Sequence, residues 1–339
     1  RLLLESLAGV NESALLAAAG REDGAGPIAD ETWRKLDEEV FPKLLRDKRI
    51  IVQGSGKVGG SFMEEMARYP VIFAAVADRD GALVGRLDPA ELTRAARSFG
   101  SVFGCEKGVE QRIPGVDEGK AVLENDCDIL VPAALENAIT AANAEKVRAT
   151  LVVCGANGPN TTKAERILHR RGVAVVYDFL ANGGGVIASY FEWLRNLAER
   201  RRYEAETIRG ERFRVEDLAG FVMPEFRSRI LSILREPESP TATEAWNAVL
   251  RDIMIAAVND DYSEAVRGGV SLKTAGYTAA ILRVLAAELL RTPQSERPGW
   301  IAGMKPATRR RLARSLRHLE AAMIDPGAAL LAERVEAGL

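Results

Sequence analysis

Histidine is almost absent from this sequence: among 339 residues only His169 and His318 carry an imidazole. That scarcity argues against a zinc cluster and leaves few candidates for a histidine-based triad. Cysteine is scarce as well. Cys105, Cys127 and Cys154 are odd in number and widely spaced, which suits small buried hydrophobes in a reducing compartment rather than a disulfide framework or a metal site, so a cytoplasmic location is expected. No apolar run approaches the roughly 18 residues that argue for a membrane span, and the first residues do not read as a charged-then-apolar signal peptide. Neither charge dominates: 46 Lys and Arg against 48 Asp and Glu leave a formal net charge of −2, which points to neither nucleic acid nor an anionic membrane as partner. There is no internal repeat and no low-complexity tract. The first residue is Arg1 rather than methionine, so a processed protein or a piece of a longer chain is expected.

What is present is ordinary globular material. Apolar residues make up 47% and charged residues 28%, enough to bury a real core, and the length suits about two domains at roughly 150 residues each. Residues 1–22 read as an amphipathic helix with Leu3, Leu7, Leu15 and Leu16 on one face. A break at Gly24–Pro27 and a helix from about Thr32 to Leu45 follow. Short apolar runs near 49–53, 71–77, 128–131, 150–154 and 173–177, with a helical segment at 57–68, predict an α/β fold with a Rossmann-type, doubly wound parallel sheet. After about residue 186 the pattern is nearly continuous helix, interrupted at Arg235–Pro240 and Thr292–Pro298. Arg309-Arg310-Arg311 opens an amphipathic tail and reads as a solvated helix face rather than an interaction patch. The expected organisation is a helical segment at 1–45, a dinucleotide-binding domain at 46–190 and a helical region at 191–339.

The sharpest local signal runs from Ile50 to Gly59, where an apolar strand enters Gly54-Ser55-Gly56-Lys57-Val58-Gly59 and a helix opens behind it. Gly54 permits the tight turn, Gly56 lets the backbone approach a diphosphate, and Gly59 lets helix and strand pack closely. The diphosphate would sit on the helix N-terminus, where free N–H groups and the macrodipole favour negative charge, with Lys57 adding a direct charge. The next strand ends at Asp78-Arg79-Asp80-Gly81. A carboxylate there accepts from ribose hydroxyls and favours NAD, whereas Arg79 could pair with the 2′-phosphate of NADP. NAD is the expected cofactor, with NADP open.

Three further segments are more specific. They are Cys127-Asp-Ile-Leu-Val-Pro-Ala-Ala-Leu-Glu-Asn137, Gly155-Ala-Asn-Gly-Pro-Asn-Thr-Thr162 and Asp178-Phe-Leu-Ala-Asn-Gly-Gly-Gly-Val-Ile-Ala-Ser-Tyr-Phe-Glu-Trp193. Together they resemble the C-terminal nucleotide domain of the glutamate/leucine/phenylalanine/valine dehydrogenases, closely over 48–197 and loosely over 248–290. The resemblance implies that Pro132, Ala133 and Ala134 line the cofactor cleft. It implies that Asn157 sits near the nicotinamide and its ribose, and Asn182 where nicotinamide and amino acid meet. It further implies that Val186 and Ser189 contact the substrate side chain. The Ser189–Trp193 segment is similar to the glutamate enzymes, and a hydroxyl at Ser189 suits a side-chain carboxylate. The sequence departs from the family at Cys154, where an acid is usual, at Lys57, where asparagine is usual, at Gly183 for alanine and at Tyr177 for proline. The connection 198–247 is also longer than a minimal member needs.

In this family the catalytic lysines and aspartate lie in an N-terminal domain. Residues 1–47 contain Lys35 and Lys43, neither in a glycine-rich loop, and are too few for a domain, so that domain is expected to be missing here. Two functions remain open. One is oxidative deamination of L-glutamate to 2-oxoglutarate and ammonia with NAD or NADP, in a homo-oligomer as is usual for the family. The other is a non-catalytic dinucleotide-binding protein with a regulatory or structural role. No metal is expected, given the few histidines and widely spaced cysteines.

Overall fold

The computed structural model describes residues 30–292, 297–321 and 328–337. The helix read at 1–22 and the break at Gly24–Pro27 lie outside the described residues, as does most of the Thr292–Pro298 linker. The chain divides into two compact units, one ending at Gly183 and the other beginning at Gly184.

Unit 1 opens with a helical stretch, α1 (Asp30–Lys35), a π-turn at Leu36–Val40 and α2 (Phe41–Leu44). Then come β1 (Arg49–Gln53), α3 (Lys57–Met66) and β2 (Ile72–Asp78). The chain turns back through β3 (Gly81–Leu87), α4 (Pro89–Phe99) and β4 (Val109–Pro114). A short helix α5 (Val116–Gly119) and a 3-10 turn lead to β5 (Ile129–Pro132), β6 (Leu151–Val153), α6 (Thr162–Arg170), β7 (Ala174–Val176) and α7 (Asp178–Ala181). The strands form one sheet in the order β4-β3-β2-β1-β5-β6-β7. Neighbours from β2 through β7 pair parallel, while β3 and β4 pair antiparallel at the edge.

The central strands are apolar on both sides because both faces are covered. Ile51, Leu130 and Val152 point into one cluster with Ile139, Ala164 and Leu168. Their neighbours Ile50, Val52, Ile129, Val131 and Leu151 point into the other with Met63, Phe73 and Leu92. A continuous apolar run is the expected sequence of a strand buried on both faces. Between β5 and β6 the chain crosses as turns rather than a helix, and Ile139, Ala144 and Val147 supply the buried surface that a helix would.

The antiparallel pair β3 and β4 does not follow from the sequence pattern. Gly81 and Gly85 weaken β3 as a strand signal, and β4 is mostly exposed and charged. The structure shows why glycine stands at 85: its φ is +150°, and a Cβ there would lie 2.1 Å from the Gly108 carbonyl oxygen, so the close approach of β3 to β4 requires the missing side chain. The helix between them, α4, has local instructions that are plain in sequence. Asp88 accepts from Glu91 N at 2.9 Å, Pro89 follows it, and Gly100 closes the helix in the left-handed region.

The regular elements among the described residues of unit 2 are all helical. α8 (Gly184–Tyr203) runs into a π-turn at Glu204–Arg209 and a 3-10 turn at Val215–Phe221, followed by α9 (Arg227–Arg235), α10 (Ala242–Gly268) and α11 (Leu272–Arg291). α12 (Arg297–Ala302), α13 (Pro306–Ala321) and α14 (Ala328–Ala337) complete it. Its apolar residues form two clusters. One gathers Phe191, Leu194, Leu218, Ile230, Leu234 and Val249; the other gathers Leu282, Leu289, Ile301, Leu312, Leu316 and Leu331. No helix of the described residues is long and apolar enough to cross a membrane.

Candidate functional site

The parallel sheet reverses its winding between β1 and β5, and ligands of such sheets bind beyond the carboxyl ends of the strands at that point. The ladder carries the chain straight into the loops there. Gly54 N donates to Ala77 O at 2.7 Å, Ala133 N to Gln53 O at 2.7 Å, and Ala156 N to Pro132 O at 2.9 Å. The three loops after β1, β5 and β6 therefore leave the sheet side by side. Small residues let them do so. A Cβ on Gly54, whose φ is +102°, would lie 2.8 Å from Ala133 O, and one on Gly155 would lie 3.0 Å from the Ala133 Cβ. Gly59 is the tightest approach: a Cβ there would lie 1.9 Å from Gly54 O, so α3 packs on the loop that precedes it.

These loops bound a cleft of about 410 Å³ lined by Gly54, Ser55, Gly56, Asp78, Arg79, Ala133 and Ala134. Seven of the residues singled out in the sequence thus meet around one space. Others are not part of its lining. Lys57 borders a smaller hollow on the far side of Gly56, with Glu64 and Arg97. Val58 packs toward Gly155. Asn182, following α7, donates from Nδ2 to Asn157 Oδ1 at 2.7 Å and to Gly155 O at 3.4 Å, so the two asparagines form a pair. Val186 and Ser189 belong to α8 in unit 2, three residues apart and both exposed, Val186 at 74%.

Asp78 is less free than its position at the end of β2 suggests. Its Oδ2 accepts from Ser55 Oγ at 2.9 Å and from Val102 N at 2.7 Å, and its Oδ1 accepts from Asp80 N at 3.0 Å. Of the roughly four lone-pair positions of a carboxylate, about one is left for a ligand. Arg79 Nη2 donates to Phe99 O at 3.2 Å, and its Nε lies 4.0 Å from Asp80.

Gln53 and Lys120 also line the cleft, and neither was singled out from the sequence. Gln53 is 7% exposed and its Oε1 has no hydrogen-bond partner. A polar residue closing an otherwise apolar strand was the available signal. Lys120 comes from the 3-10 turn after α5 and donates to Asp117 at 2.7 Å; nothing local in sequence marks it. Near the asparagine pair, Asp178 Oδ2 accepts from Gly158 N at 2.8 Å while its Oδ1 is buried without a partner. At Cys154 the buried thiol accepts from Asn160 Nδ2 at 3.2 Å. The other two cysteines are inert by burial, which pushes Cys127 up to about 12 and Cys105 up to about 11.

The residues present fit a dinucleotide. A Cβ on Gly56 would meet nothing within 4 Å, so the backbone at the start of α3 faces open space. Gly56 caps that helix without a side-chain hydrogen bond, which leaves first-turn N–H groups to donate to an anion. The unpartnered Gln53 Oε1 is a buried acceptor at the same cleft, a group whose desolvation is offset only by a donor.

The chain is similar in sequence to known proteins. The family model described as glutamate/leucine/phenylalanine/valine dehydrogenase matches residues 24–212. Glutamate dehydrogenase B of Halobacterium salinarum is 35% identical over 267 residues, covering 78% of this chain and 52% of that protein. The glutamate dehydrogenase of Thermotoga maritima is 46% identical over 184 residues, covering 52% of this chain and 42% of its own length. Among solved structures, the hetero-hexameric glutamate dehydrogenase from Thermus thermophilus in a leucine-bound form aligns over 81% of this chain and 50% of that one, at 24% identity and a TM-score of 0.46. The chain spans about half the length of these relatives, and with a match over more than half of its own length it belongs to the glutamate/leucine/phenylalanine/valine dehydrogenase family.

Proposed function

We propose that unit 1 binds a nicotinamide dinucleotide and serves hydride transfer in an amino-acid dehydrogenase that converts L-glutamate to 2-oxoglutarate and ammonia. The observation that carries this reading is the open backbone at Gly56 facing the cleft at the β1–β5 reversal. In this reading the diphosphate lies against Gly56 and the N-terminus of α3, with Lys57 beside it. Asp78 takes one ribose hydroxyl with its remaining lone pair, and Ala133 and Ala134 form the small-residue wall. The Asn157–Asn182 pair sits at the nicotinamide end. The oxidised cofactor, when bound, would accept the hydride that leaves the amino-acid Cα, while these residues hold and orient it. Asn182, Val186 and Ser189 are the proposed contacts to the amino acid, Ser189 donating to its side-chain carboxylate.

NAD is the proposed cofactor, because the Asp78 carboxylate would repel a 2′-phosphate while Arg79 is engaged by Phe99 O. The cations lining the cleft, Arg79 and Lys120, belong to its sugar end in this reading, so polarisation of the oxo-acid carbonyl needs a lysine from outside the cleft's own lining. Assembly into a homo-oligomer is part of the proposal. Tyr277, Ile281 and Val284 form an exposed apolar row four and three residues apart along α11, a face suited to a second copy.

The test is titration of the purified chain with NADH and NADPH, followed by light scattering. NADH is expected to bind more tightly than NADPH, and Gly56→Val to abolish binding of both without unfolding the chain. Absence of binding to either dinucleotide would sink the proposal. Glutamate-dependent reduction of NAD by the full gene product then decides between an enzyme and a binding protein.

A further inference from the structure

The long connection after residue 198 builds a second charged hollow, made entirely of unit 2 residues. The end of α8, the π-turn Glu204–Arg209 and the 3-10 turn Val215–Phe221 enclose about 500 Å³ together with the end of α9. Four arginines line it, Arg202, Arg212, Arg214 and Arg235, against two carboxylates, Glu206 and Glu216. One opposite pair is already closed. Arg235 Nη2 donates to Glu216 Oε1 at 2.6 Å, and that hydrogen bond holds the Glu216 carboxyl below the usual carboxylate range.

Of the two lining carboxylates, Glu206 is left to the other three arginines, and Arg214 also acts on Glu216 through its charge. Arg202 lies over the Phe213 ring, 5.3 Å from its centroid, an arrangement that sets the plane of the guanidinium without neutralising it. Arg212 and Arg214 are exposed and have no ion pair or hydrogen bond from their side chains among the described residues. Their chain is nevertheless held, because Val215 between Arg214 and Glu216 is buried in the cluster of Leu194 and Ile230. Like charges gathered around one concavity repel, and a multivalent anion spanning them removes that repulsion. Guanidinium forks match phosphoryl oxygens in geometry, each contributing two parallel donors.

We propose that this hollow binds a phosphate-bearing small molecule, with Arg202, Arg212 and Arg214 donating to its phosphoryl oxygens and Arg235–Glu216 fixing the wall behind them. The proposal does not depend on the dinucleotide reading, since no residue of unit 1 takes part.

Hydrogen exchange of the full chain, followed by mass spectrometry with pyrophosphate as probe, tests it locally. Pyrophosphate is expected to slow exchange at 202–216, with an effect that weakens as ionic strength rises. Arg212→Gln with Arg214→Gln is expected to raise the half-saturating concentration about a hundredfold, roughly tenfold for each guanidinium removed from the phosphoryl oxygens. Lys57→Gln, at the other anion site, is expected to leave protection at 202–216 unchanged. Both arginines are exposed, so the variant keeps its fold, which its circular dichroism checks. No protection, protection that survives the double substitution, or equal protection by sulfate at matched ionic strength would overturn the proposal.

Discussion

Unit 1 places seven strands in one sheet and buries both faces of it in clusters that run the width of the sheet, whereas unit 2 splits its apolar residues between a cluster around Leu194 and Ile230 and another around Leu289 and Leu312. In the first arrangement a strand is clamped from two sides and its neighbours share every displacement. In the second a helix can lose packing in one cluster while the other stays intact. The ligand sites follow the same division. The cleft of unit 1 is made of backbone held at close range by the sheet, and the hollow of unit 2 is made of long side chains on turns.

The comparison is broken most severely at Gly59. Placing a methyl 1.9 Å from Gly54 O forces α3 away from the sheet, so Gly59→Ala is expected to cost about 3 kcal/mol or more. Urea denaturation should show an early transition of unit 1, with the transition of unit 2 unmoved. Leu130→Ala, at 0% exposure in the middle of β5, should cost about 3 kcal/mol, at the middle of the range for a buried leucine. Leu312→Ala, equally buried in one of the two clusters of unit 2, is expected to cost less because its surroundings can collapse around the vacancy. An equal loss would remove the contrast between the two units.

Unit 2 has its own rigid point. Asp252 is 5% exposed and takes Arg229 Nη1 at 2.5 Å. Arg229→Ala should therefore destabilise that unit by about 2 kcal/mol, below the cost of leaving a buried charge wholly unpartnered, because Arg251 Nε still lies 3.5 Å from the Asp252 carboxylate, and this is read as a shift of the unit 2 transition alone. A smaller effect is expected at the cap of α4, where Asp88→Ala should cost about 1 kcal/mol. Its dependence on pH sharpens the assignment. The hydrogen bond from Lys107 and the backbone of Glu91 hold the Asp88 carboxyl below its ordinary value. Its contribution is thus present above the unfolded-state value and disappears as pH falls through the lowered one. Stability curves of the wild type and the variant should converge on acidification. The smallest effect is at the thiols: Cys105 and Cys127 should react with a thiol reagent only after denaturation, because burial keeps them protonated.

The central half of unit 1 was legible because its instructions are local. An apolar run followed by Gly54, Gly56 and Gly59 specifies strand, turn and helix within ten residues, and the apolar strands β5 to β7 carry the same kind of signal. The edge strands were not legible, since β3 depends on glycines whose use is seen only against Gly108 and Ile113. Gln53 was overlooked for the opposite reason: it sits inside the clearest motif, where an apolar strand was already the expected reading. Lys120 reaches the cleft from a turn far along the chain, a placement that only the tertiary fold determines. In unit 2 the helices and the interruption at 235–240 follow from periodicity, but the convergence of Arg202, Arg212 and Arg214 depends on a π-turn that no spacing rule announces.

Asp78 joins three separate stretches of chain through Ser55, Asp80 and Val102. These stretches are cross-linked before any guest arrives, so the freedom they would lose on binding has already been lost in folding. The cleft is in that sense a finished lock. Entry should proceed at a rate set by collision and orientation, without a slow ordering phase after encounter.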